Sequence, residues 1–144
     1  MGLYFSSMFL TVVSNIGYHL SQRSISTKVN PLTSLALTYL VALAATLIAF
    51  PFFSPADSGP LGQQIKSANW ATYALGLALV GLELGFLLVY RSGWKVSIAA
   101  LFSNALVTVL LIPAGMFFFR EQLDLKKVTG IALASAGLWL MSGK

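Results

Sequence analysis

The chain has no cysteine, a single histidine and only four acidic residues in 144 positions. Without thiols, disulfides, zinc–thiolate sites and cysteine nucleophiles are excluded. One histidine and four carboxylates are too few ligands for a metal site. No nucleophile or cofactor motif stands beside them, so neither an enzyme nor a bound cofactor is expected. Charged residues of both signs amount to 9%, against about 25% in ordinary soluble domains. A globular surface has to meet water, so a deficit this large argues against a soluble fold. No segment alternates polar and apolar residues over about ten positions, which excludes a transmembrane β-barrel. The opening "MGLYFSSMFL" lacks a basic leader and a small-residue cleavage site, so no removable signal peptide is expected.

What remains is apolar. Hydrophobic residues make up 57% of the sequence and the mean hydropathy is +0.81. A bilayer core needs about 20 helical residues to cross it. The apolar runs predict a single domain, 1–144, that is all-α and membrane-embedded, with five spans near 3–20, 32–53, 70–90, 96–119 and 128–142. The fifth is the shortest, and Lys126 and Lys127 at its start can snorkel toward the headgroups. Pro31 opens the second span. "FSPADSGPLGQQIKSAN" reads as one long loop, "RSGWK" as a tight turn and "REQLDLKK" as the last link. Trp70, Trp94 and Trp139 fall near span ends, where amphipathic rings favour the interface.

The net charge of +5 comes from nine Lys and Arg placed between the apolar runs, which is how spans are bracketed rather than how nucleic acid is bound. Five crossings put Lys66, Arg120, Lys126 and Lys127 on one side of the membrane. Arg23, Lys28, Arg91, Lys95 and Lys144 fall on the other. Orientation normally follows an excess of Lys and Arg on the cytoplasmic side, and here there is almost none. Either other features set one orientation, or the chain inserts both ways and pairs with an inverted copy of itself.

At 100° per residue, Tyr4, Ser7, Thr11, Ser14, Asn15, Tyr18 and Gln22 share one side of the first span, with His19 at the edge. Ser97, Asn104, Thr108 and Gly115 line the fourth. Polar groups facing lipid lack partners, so both stripes face protein or a wet cavity. The plain reading is hydrogen bonding between helices; for the whole first stripe, a cavity lining fits better. His19 is as well explained by an interfacial hydrogen bond as by a proton relay. Ala74, Ala78, Gly81 and Gly85 on the third span, and Gly130, Ala134 and Gly137 on the fifth, form small-residue stripes suited to close helix packing, within one chain or between two. Pro113 removes a backbone hydrogen bond from the fourth span and predicts a bend.

Glu83 is the one carboxylate deep in an apolar run, "LALVGLELGFLLVY". By helical rise it lies roughly 5 Å from the middle of its span. A charge at such a depth costs at least about 2.5–3.5 kcal/mol. A group so placed can hold a proton in one conformation and release it in another, or bind a cationic substrate. The competing structural reading is a protonated carboxyl bonded to a helix neighbour, or an ion pair with Arg91 or Lys95. Arg91 lies about 12 Å along the same helix, too far for direct contact.

"SIAALFSNALVTVLLIPAGMFFFREQLDLKKVTGIALASAGLWLM" resembles the last two helices of the EamA-like repeat in the drug/metabolite transporter superfamily. Glu121, Leu125, Gly130 and Gly137 carry the likeness, and "VVSNIGYHLSQRSIS" is similar to the repeat's opening helix. The resemblance implies one five-helix repeat that pairs as an inverted, antiparallel homodimer of ten helices. It implies a secondary transporter or exporter of small metabolites, amino acids or amine-bearing and cationic compounds. Transport would proceed by alternating access, with protons as a candidate coupling ion, in a bacterial cytoplasmic membrane. The related small multidrug resistance proteins keep their essential carboxylate in the first helix, where this chain has Ser14 and Asn15. Their mechanism therefore does not transfer directly, and Glu83 takes the coupling or substrate-binding role. Asn15, Tyr18 and Asn104 would orient the substrate, and Tyr90 would form an aromatic gate. Glu121, at the membrane edge beside Arg120, is read as fixing a helix end. The alternative reading is a non-transporting membrane subunit that partners a lipid-modifying enzyme or transport complex.

Overall fold

The computed structural model describes residues 2–53, 59–120 and 124–142. Six helices account for nearly all of them: α1 Gly2–Ser24, α2 Pro31–Phe53, α3 Leu61–Lys66, α4 Trp70–Arg91, α5 Val96–Phe119 and α6 Leu125–Ser142. There is no β-strand among the described residues. Helices α2, α4 and α5 are each long and apolar enough to cross a membrane. The 23-residue α1 is diluted by its polar stripe. The apolar part of α6, Val128–Gly137, is shorter than a bilayer crossing.

Local chemistry explains where the long helices start. Asn30 precedes Pro31, and its side-chain oxygen accepts from the Leu32 amide at 2.9 Å. Proline at the first helical position needs no amide partner there, so Asn30 and Pro31 together begin α2 cleanly. Asn69 does the same for α4, accepting from the Ala71 amide at 3.1 Å. Helix α5 starts at Lys95 without a side-chain cap, runs through Pro113 and ends at Arg120 in a left-handed conformation, φ 54°. Gly93, φ 97°, supplies the left-handed turn in "RSGWK".

The 59–69 stretch is more than a loop. After Pro60 the chain turns into α3, with the Gln63 amide bonded to the Pro60 carbonyl at 2.9 Å. The Gln64 side-chain amide reaches the Gly59 carbonyl at 3.0 Å. Proline pre-sets the entry, and Leu61, Gln63, Gln64 and Lys66 are good helix formers. The density of Pro, Gly and Ser just before Leu61 hid this short helix from a reading by composition.

The chain divides into two compact units, one of Met1–Leu20 and Gly93–Lys144, the other of Ser21–Ser92. In the first, α5 packs on α6, and Ala99 and Gly115 are buried. In the second, α2 packs on α4, with Leu35, Leu87 and Tyr90 buried. The last turn of α1, from Ser21, belongs to this second unit. Burial departs from the pattern of a water-soluble protein. His19, Gln22 and Ser34 are buried, whereas Leu40, Val41, Ile48, Leu77 and Leu110 are exposed. Such wide apolar exposure along helices of spanning length is what a lipid environment stabilises.

Candidate functional site

Within the Ser21–Ser92 unit, Glu83 has a side-chain partner from another helix. From the last turn of α1, the Gln22 side-chain amide donates to the Glu83 carboxylate Oε2. It also reaches the Glu83 backbone carbonyl, at 3.5 Å. Gln22 is 5% exposed, so this contact is sheltered, and Glu83 itself is half-buried. Tyr39 stands on α2, which packs on the helix that carries Glu83. The Gln22 Oε1 and the Tyr39 hydroxyl are both buried without a hydrogen-bond partner among the described residues.

Arg23 and Arg91 of the same unit are committed elsewhere. The Arg23 Nη1 donates to the Tyr90 carbonyl near the end of α4. The Arg91 Nη2 donates to the carbonyls of Ser26, at 3.1 Å, and Val29, at 2.7 Å. Cations at a helix C-terminus are favoured by the exposed carbonyls and the helix dipole. Two arginines therefore tie the end of α4 to the end of α1 and the link into α2. Neither forms an ion pair with Glu83, and none is formed with Glu83 among the described residues. Of the two structural readings open for this acid, a hydrogen-bonded neighbour is present, and it comes from another helix.

An amide in place of a cation has a chemical consequence. Gln22 gives the carboxyl a hydrogen bond but no neutralising charge. A proton or a cationic ligand can supply that charge, which a resident salt bridge would already have done.

The other sequence-derived candidates are distributed between the two units. Tyr90, in the Glu83 unit, is 1% exposed and stacks on Phe86, with ring centroids 5.9 Å apart. Asn15, Tyr18, His19 and Asn104 belong to the other unit. Tyr18 and His19 meet edge to face at 5.0 Å, and His19 is buried. Asn15 and Asn104 are exposed. Much of the polar stripe on α1 is satisfied by its own backbone. The Ser7 hydroxyl returns to Tyr4 at 3.0 Å and that of Thr11 to Ser7 at 2.9 Å, a common way to keep a hydroxyl in an apolar helix. On α5, Thr108 likewise donates to the Asn104 carbonyl at 2.7 Å.

The glycines Gly81, Gly85, Gly130 and Gly137 are exposed, and a methyl group added at any of them would meet nothing within 4 Å. The Ala134 side chain and Glu121 lie outside the described residues. Tyr39 was not singled out by sequence, and Gln22 only as a member of the α1 polar stripe, not as a partner of Glu83. Gln22 closes the α1 polar stripe, which was the available signal. Tyr39 interrupts an aliphatic run, but only the packing of α2 on α4 gives that interruption a meaning.

Comparison with curated proteins and with solved structures gave no match. The EamA-like transporter family model matches residues 3–143, nearly the whole chain. The apolar helices and the placement of polar groups agree with an integral membrane protein of that kind. The chain belongs to the EamA-like transporter family.

Proposed function

We propose that this protein is a secondary transporter of small amine-bearing or cationic metabolites, with Glu83 as the group that exchanges a proton or holds the substrate. The observation that carries the reading is a membrane-depth carboxyl partnered by the Gln22 amide rather than by a cation. Proton and cationic cargo compete for such a group, and that competition couples one flux to the other. Tyr90, in the same unit as Glu83, forms an aromatic gate. The chain crosses five times, through α1, α2, α4, α5 and α6. It assembles as an inverted homodimer in a bacterial cytoplasmic membrane. The near-even division of Lys and Arg supports dual insertion. The open glycine faces of α4 and α6 suit contact with a second copy.

Reconstituted protein should take up or release protons when an amine substrate is added, and Glu83→Gln should abolish that exchange. Normal proton-coupled transport by Glu83→Gln would overturn the role given to this acid. For assembly, single cysteines in place of Lys66 and Lys95 should each label from both faces of the membrane. Labelling from one face only would reject dual insertion.

A further inference from the structure

The unit that holds Glu83 contains more acceptors than the transporter reading uses. The Gln22 amide nitrogen is spent on the Glu83 carboxylate, yet its carbonyl oxygen, one amide width away, is buried without a partner. The Tyr39 hydroxyl, from a helix that packs on α4, is likewise buried and unpartnered. A buried polar atom left unpaired carries a penalty that a bound partner relieves. Carboxylate, amide carbonyl and phenol oxygen can all accept a hydrogen bond. A primary ammonium offers three N–H donors around one positive charge. A quaternary ammonium offers none, so it can satisfy none of these oxygens by hydrogen bonding.

We infer that Gln22 and Tyr39 are specificity-determining residues that, with Glu83, select ammonium groups bearing N–H donors over fully methylated ones. The inference rests on the transporter reading for its biological setting, but it concerns binding and is tested without flux. Gln22 has two parts in it. Its N–H holds the carboxylate in place, and its carbonyl receives one donor of the ligand. Tyr39 receives a second from α2, so that ligand binding joins α1, α2 and α4 through one nitrogen.

The test is titration calorimetry of the full chain in lipid nanodiscs at neutral pH. The probes are butylammonium and its N-methyl, N,N-dimethyl and N,N,N-trimethyl analogues. All four are cations of the same charge, so the series varies the number of N–H donors. Affinity should fall at each methylation, by about tenfold from first to last. Tyr39→Phe and Gln22→Leu should each compress that range by about threefold while still binding butylammonium, which also shows that the variants fold. Glu83→Gln should lose the whole series. A trimethyl analogue that binds as tightly as butylammonium, or a range unchanged in both variants, overturns the inference, as does the absence of binding by all four. The transporter reading fails separately if the series binds in the expected order but reconstituted protein moves no amine.

Discussion

Helices α4 and α5 are close in length and apolarity, and both qualify as membrane spans. Their polar groups are handled in opposite ways. On α5, the Thr108 hydroxyl is satisfied inside the helix, by the Asn104 carbonyl, and the helix begins without a side-chain cap. On α4, Asn69 caps the start, Glu83 reaches Gln22 of α1, and Arg91 reaches the carbonyls of Ser26 and Val29. A hydroxyl is small enough to fold back on its own turn, whereas a carboxyl carries a charge that its own helix cannot neutralise. The difference teaches where function is to be sought in such a chain. Polar atoms that a helix satisfies alone are consistent with simple solubility in lipid, and those that require other helices mark positions where packing and chemistry are linked.

The comparison can be broken most sharply at Glu83. Glu83→Gln should reduce amine flux by roughly a hundredfold in proteoliposomes, since the charge partner of the cargo is lost. Thr108→Val on α5 should leave flux within a factor of two. Next in size, Arg91→Ala removes two charge-assisted bonds and should cost about 2 kcal/mol, read as a lower melting temperature in detergent. If Arg91→Ala melts like the parent, the tie between α4 and the α1–α2 link carries no stability. Asn69→Ala should cost about 1 kcal/mol through loss of the α4 cap. Lys95→Ala, at the uncapped start of α5, should leave melting unchanged. Thr108→Val should also have only a small effect, below about 0.5 kcal/mol by the same measurement, because valine keeps the shape and removes only a bond internal to the helix.

Much of this molecule was legible from residue order. The helical membrane class follows from the scarcity of charge and the length of the apolar runs, and the family from the pattern of the C-terminal helices. The start of α2 at Asn30–Pro31 and that of α4 at Asn69 reflect local chemistry that acts without tertiary contacts. Glu83 was conspicuous because a carboxylate is rare in such a run. The helix α3 was not legible, since the turn-forming residues ahead of Leu61 mask a stretch of good helix formers. The pairing of Gln22 with Glu83 and the place of Tyr39 were hidden for a different reason. Amphipathic position shows that a residue faces something other than lipid, but not which helix it meets. The polar stripe of α1 shows the limit well: Ser7 and Thr11 turn back to their own backbone, and Gln22 at the same stripe's end crosses to Glu83.

Sequence by itself determined the solvent of this protein. Long runs of apolar side chains make transfer from water to lipid favourable wherever the chain folds, and backbone groups in lipid then require helices. Only the tertiary structure decided what the buried acid touches. The free energy of a carboxyl depends on the atoms within a few ångströms of it. For Glu83 the observed partner comes from a helix remote in sequence, the Gln22 amide of α1, while Arg23 and Arg91 hold backbone carbonyls instead.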